Sequence, residues 1–189
     1  MEKKVILYIN STVRKNSRTD RLARFLLSVL KDEVIELKLE DEKLEPLNKE
    51  TLAERDELIN RKDFDSPRFR YARLFAQADI IVISAPFWDS SFPASLKVFI
   101  ENIYVNGLVT EYNDDGSVCG LCRAKKLYYV ATAGGKFVPD YSYGYIESLC
   151  KDFFGIKETH LICAEMLDVR GSDVEKLLKE EEQRIACTL

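Results

Sequence analysis

DIIVISAPFWDSSFPASLK, from Asp79 to Lys97, decides the fold of this 189-residue chain. Ile80, Ile81, Val82 and Ile83 form an unbroken β-branched run, as expected of a strand covered on both faces in a parallel sheet packed between helices. Ser84-Ala85-Pro86 stops the run, because the Pro86 ring removes a ladder donor. Phe87 and Trp88 then fall in a loop, and Pro93 opens a helix carrying Leu96, Val98, Phe99, Ile100 and Ile103 beside Lys97 and Glu101. In an open α/β sheet the loops leaving the carboxyl ends of the strands line the ligand crevice. Phe87 and Trp88 can lie flat against a planar ring there; the plainer alternative is that they plug the top of the sheet.

Outward from this stretch, residues 5–9, 34–39, 127–131 and 156–166 supply four more β-rich runs. Helical patterns alternate with them: one from Arg21, a charged one over residues 49–61, one started by Pro67, one through Ile146, Leu149, Cys150, Phe153 and Phe154 that stops at Gly155, and a last one over residues 174–185. The alternation predicts an α/β three-layer sandwich in a single domain spanning residues 1–189, with right-handed crossovers. Its 46% hydrophobic and 32% charged residues fit a soluble globule with a real core. The apolar run that follows MEKK and ends at Asn10 is too short for a signal-peptide core. Five cysteines, an odd number in a chain that folds without staples, suit a reducing, cytoplasmic setting. A net charge of -4 argues against nucleic acid as the partner, and nothing in the sequence suits a membrane.

Three strand ends carry the chemistry. After residues 5–9 comes Asn10-Ser11-Thr12-Val13-Arg14-Lys15-Asn16-Ser17-Arg18-Thr19, a stretch rich in hydroxyls, amides and cations, directly before a helix. Free N–H groups at a helix start, with hydroxyls and an Arg, make a phosphate cradle that suits a monophosphate; Ser17 as a simple helix N-cap in a polar loop is the alternative. Neither a Gly-x-Gly-x-x-Gly nor a P-loop motif is present. After residues 127–131 comes Thr132-Ala133-Gly134-Gly135, where two glycines let the backbone approach a ligand and leave N–H groups to donate, unless they make an ordinary turn. Phe137, Tyr141, Tyr143 and Tyr145 follow, as a pocket rim or a subunit interface. Residues 107–116 form an excursion with turn chemistry at Asn113-Asp114-Asp115-Gly116. Cys119 and Cys122 form a lone C-x-x-C; with His160 the only histidine, two unlinked thiols are expected rather than a metal site, and His160 is structural.

In the flavodoxin-like strand order 2-1-3-4-5 the first, third and fourth strands are adjacent, so their three loops meet at one edge. A ligand with a phosphate tail and a flat head fits them: flavin mononucleotide (FMN). The chain also resembles the flavodoxin-like FMN-dependent NAD(P)H oxidoreductases, in their azoreductase and quinone reductase branch, over nearly its whole length. Ser11 with Ser17-Arg18-Thr19, Ala85 to Asp89 leading to Pro93-Ala94-Ser95-Leu96-Lys97, the excursion from Gly107 to Gly116, and Thr132 to Gly135 carry the likeness. The resemblance implies that Ser11, Ser17, Arg18 and Thr19 hold the phosphate, that Pro86, Phe87, Trp88 and Asp89 wrap the ring and ribityl chain, and that Thr132, Ala133, Gly134 and Gly135 meet the pyrimidine edge. It also implies a homodimer with two FMN sites.

Two departures are visible. Trp88-Asp89-Ser90 stands where aromatic-Asn-Phe is common, opening the pocket wall, and Ala133 stands where an Arg is common, removing a cation near the ring. The implied reaction passes hydride from NAD(P)H through flavin N5 to a quinone, azo compound or similar small-molecule acceptor in a ping-pong order. The backbones of Gly134 and Gly135 are the candidates for stabilising charge on the reduced flavin, the carboxylate of Asp89 is expected to face away from it, and Phe137, Tyr141 and Tyr143 are candidates for the acceptor pocket. A flavodoxin-like electron carrier and a regulatory module are the rival readings.

Overall fold

The computed structural model describes residues 3–189, so the first two residues of the amino-terminal stretch discussed above lie outside it. In chain order the elements are β1 (Val5–Asn10), α1 (Arg18–Leu30), β2 (Glu33–Lys38), α2 (Lys49–Asn60), α3 (Arg70–Gln77) after a 3-10 turn at Pro67–Phe69, β3 (Ile80–Ser84), α4 (Ala94–Ile103), β4 (Thr110–Tyr112), β5 (Val118–Gly120), β6 (Lys126–Thr132), α5 (Tyr143–Ser148), β7 (Glu158–Ala164) and α6 (Val174–Thr188). The five expected runs are the five strands of one parallel sheet in the order β2-β1-β3-β6-β7. Counted without the small hairpin β4–β5, that is 2-1-3-4-5, a flavodoxin-like fold.

The alternation of side chains along each strand divides the apolar residues between two cores. Leu7, Ile9, Ile81, Ile83, Leu127 and Tyr129 face α3, α4 and α5 through Phe75, Phe99 and Ile146. Ile6, Tyr8, Ile80, Val82, Tyr128 and Val130 face α1 and α6 through Leu22, Leu26, Leu178 and Ile185. Burial on both sides is why these strands read as continuous hydrophobic runs.

Register decides where the loops emerge. Asn10 lies beside Ser84, Ser84 beside Val130, and Val130 beside Ile162. The carboxyl ends of β1 and β3 therefore stand level, β6 runs just past them to Thr132, and the three loops leave from one edge of the sheet.

Three local differences from the sequence reading have physical causes. The excursion at residues 107–116 is the first arm of an antiparallel hairpin, in which Thr110 pairs with Gly120 and Tyr112 with Val118. Its open end packs so closely that a Cβ on Gly120 would overlap the backbone of Phe154 and Gly155. The helix expected through residues 146–154 breaks into α5 and a π-helical turn at Leu149–Phe154, capped by Gly155 at φ +75°; the turn leaves the carbonyl of Phe154 to accept from Cys122 N–H at 3.3 Å. The last strand is shorter than residues 156–166, because Ile156 N–H donates back to Cys150 and Met166 N–H to the carbonyl of Gly135, outside the ladder.

Candidate active site

The loops after β1, β3 and β6 converge on one cleft of about 290 Å3, which Ser17, Arg18, Thr19, Pro86, Phe87, Trp88, Thr132, Ala133 and Gly134 line together. Nine of the residues singled out from the sequence thus share one surface.

At the start of α1, Ser17 is the N-cap, and its Oγ accepts from Asp20 N–H at 3.2 Å. Capping and lining the cleft are therefore not rival roles for this residue. No backbone carbonyl among the described residues accepts from the N–H groups of Ser17, Arg18 or Thr19, which is the condition that makes a helix start an anion site. Thr19 Oγ1 lies 2.7 Å from Thr132 Oγ1 and ties α1 to the end of β6.

A partly buried polar network sits beneath this loop. Tyr8 Oη donates to Asp20 Oδ1 at 2.6 Å, Asn10 Nδ2 donates to Asp20 and to Glu36 at 3.0 Å each, and Arg24 Nε donates to Asp20 Oδ2 at 2.9 Å. Burial, followed by the adjacent Asp20, pushes the Tyr8 hydroxyl well above its ordinary range, so it stays a donor. The acid in the first turn of α1 is thereby neutralised by three donors and does not oppose an incoming anion. Asn10 Oδ1 accepts from Thr12 N–H at 3.0 Å and Thr12 Oγ1 at 2.8 Å, which sets the path of the loop.

The loop after β3 forms the aromatic wall. Phe87 N–H donates to the carbonyl of Thr132 at 3.0 Å, and Trp88 and Ser91 exchange both backbone hydrogen bonds across a two-residue turn. Asp89 and Ser90 at its tip have φ of 49° and 65°. Phe87 is braced by Phe137 with ring centroids 4.9 Å apart, and the Arg14 guanidinium lies over Trp88 at 5.9 Å.

After β6, no backbone carbonyl among the described residues accepts from the N–H groups of Gly134 and Gly135, while their carbonyls accept from Asp168 and Met166. A side chain on Gly134 would collide with the Asp168 carboxylate.

The remaining candidates lie elsewhere. Ser11 is buried below the cleft and its Oγ donates to the carbonyl of Ser84 at 2.7 Å. Asp89 and Ser90 are exposed on the far tip of the turn and do not line the cleft, and Gly135 is exposed beyond Gly134. Phe137 is buried behind Phe87 and does not line the cleft. Tyr143 packs against Tyr129 and its hydroxyl lies 3.0 Å from Thr159 Oγ1, away from the cleft. Of the three proposed pocket residues only Tyr141 is free, 70% exposed, and its carbonyl accepts from Ser91 Oγ at 2.7 Å. The reading overlooked Thr12, Val13, Arg14 and Asn16, and a fourth loop that brings Leu167 and Asp168. The first four belong to the same donor-rich stretch. Arg18 Nη1 pairs with Asp168 Oδ1 at 2.7 Å.

Cys119 is exposed, whereas Cys122 is buried against the Val109 carbonyl and burial pushes its thiol up to about 12. The two are not bonded. His160 stacks on Tyr128 at 4.9 Å, its Nε2 2.9 Å from Glu158.

A family described as having a flavodoxin-like fold matches residues 4–189. An FMN-dependent NADH:quinone oxidoreductase of Coprothermobacter proteolyticus is 35% identical over 94% of this chain and 96% of its own length. The enzyme of the same description from Clostridium beijerinckii is 36% identical over 93% of this chain and 92% of its own. The chain belongs to this flavodoxin-like oxidoreductase family. Among solved structures, an azoreductase of Bacillus anthracis superposes with a TM-score of 0.83 at 20% identity, covering 98% of both chains, which shows the fold. The residues present fit the family's FMN: unshared N–H groups at the start of α1 for a phosphate, half-buried aromatic faces on Phe87 and Trp88, and unshared N–H groups on Gly134 and Gly135.

Proposed function

We propose that this chain binds FMN in the cleft and transfers electrons from NADH to a quinone or another flat acceptor. The convergence of the three loops on one surface carries the reading, and relatives at 35–36% identity described as FMN-dependent NADH:quinone oxidoreductases support it. FMN held there would supply the redox chemistry, a centre able to accept hydride at N5 from the nicotinamide and to pass the electrons on to the second substrate in ping-pong order.

The protein's own part is binding and electrostatics. Ser17, Arg18 and Thr19 hold the phosphate with N–H groups, hydroxyls and a guanidinium, Trp88 and Phe87 flank the ring, and Gly134 and Gly135 N–H groups donate where negative charge gathers on reduction. No side-chain acid or base is assigned a proton. We also read the apolar residues exposed on the cleft-side loops, Val13, Val138, Tyr141, Met166 and Val169, as the face a second copy covers; a solution mass of one chain by light scattering would remove that part.

Anaerobic NADH should bleach the visible flavin band of FMN-loaded protein, and an added quinone should restore it over repeated cycles. A band that NADH leaves intact, in protein that binds FMN, assigns the chain to the electron carriers instead.

A further inference from the structure

Two side chains at the mouth of the cleft have opposite interests in an anionic ligand. Arg18, the first residue of α1, brings a cation to the cleft beside the unshared helix N–H groups, yet its Nη1 is engaged with Asp168 Oδ1 at 2.7 Å. The backbone of the partner acid is held in place. Asp168 N–H donates to the carbonyl of Gly134 at 2.8 Å, Leu167 N–H to that of Ala133 at 3.1 Å, and the carboxylate packs against Gly134 where a Cβ would otherwise stand. The loop after β7 therefore presents a negative charge between the start of α1 and the Gly-Gly loop.

Resting on the FMN reading above, we propose that Asp168 is a specificity-determining residue that limits how much the phosphate contributes to flavin binding. It does so in two ways. It occupies Arg18, which must leave the pair to meet a phosphate, and its carboxylate stays beside the phosphate as a like charge. Arg18 and Asp168 side chains are 40% and 64% exposed, so the pair itself is weak and a phosphate, with more charge and more acceptor oxygens, displaces it. The cost appears as a reduced preference for FMN over riboflavin, which has the same ring and ribityl chain and no phosphate.

Calorimetric titration of FMN and riboflavin into the flavin-free chain tests this. D168N is expected to tighten FMN roughly five- to tenfold, the scale of one partly exposed charge interaction at close range, and to leave riboflavin within about twofold. D168A should follow D168N, which separates charge from shape. In an R18Q background the gain from D168N should shrink, because no guanidinium remains to be released. If wild-type chain binds FMN and D168N binds it no tighter, or tightens both flavins alike, or the gain persists undiminished in R18Q, the proposal is overturned while the FMN reading stands. Wild-type chain that binds neither flavin overturns both.

Discussion

Asp89 and Ser90 sit side by side in left-handed backbone, at φ 49° and 65°, across the turn that presents Trp88. Two-residue hairpin turns of this hand favour Asp or Asn first and Gly second; a Ser in the second place carries a Cβ penalty. S90G should therefore stabilise the fold by about 0.5–1 kcal/mol, the penalty being partly offset by the extra chain entropy of glycine. A higher midpoint in denaturant with an unchanged slope is the expected result; an unchanged or lower midpoint denies the strain. Residue chemistry was legible in the sequence where it repeated along one loop, as at Ser17, Arg18 and Thr19. It failed at Ser11, because which way a strand-end serine faces depends on the register of β1 against β3, and its hydroxyl is spent on Ser84. Asp168 carried no signal, since an acid in a polar loop looks like any other until Gly134 is seen beneath it.

At the scale of elements, Asp79 joins the amino ends of three strands. Its Oδ2 accepts from Val5 N–H at 2.8 Å at the start of β1 and lies 2.6 Å from Arg123 ahead of β6, while Asp79 itself precedes β3. The Val5 N–H, and after it the Arg123 guanidinium, hold its carboxyl below the usual range. A carboxyl lowered on folding stabilises the native state at pH above its unfolded value of about 3.9 and loses that contribution as pH falls through the lower folded value. Wild type should thus exceed D79N in stability by a constant margin above about pH 5, a margin that closes toward about pH 2 in denaturant midpoints taken across that range. A margin independent of pH would mean the charge plays no part. β1, β3 and β6 were readable because burial on both faces leaves an unmistakable run of apolar residues, and the more exposed edge strands β2 and β7 by shorter β-rich runs. The hairpin β4–β5 and the π-helical turn were not, because they answer to each other: Gly120 and Gly155 allow two backbones to meet at a distance no local pattern encodes.

For the molecule as a whole, one fact of register does most to make a site. β1 and β3 end in one row, at Asn10 and Ser84 beside Val130, and β6 runs on only to Thr132, so stretches some 75 and 120 residues apart in sequence reach one cleft. The strand order could be anticipated from the alternation of β-runs and helices, and with it the meeting of three loops. The fourth loop, after β7, was missed because the last strand lies at the sheet edge, beside β6 alone, and offered no motif. The chain's single tryptophan, Trp88, lines that cleft, which turns its fluorescence into a direct probe of whether the loops grip a flavin together. Titrating FMN into the flavin-free chain should quench the Trp88 emission saturably, reaching its end point at one FMN per chain. Emission that falls only in proportion to added FMN, with no end point, would contradict a shared flavin site at these three loops.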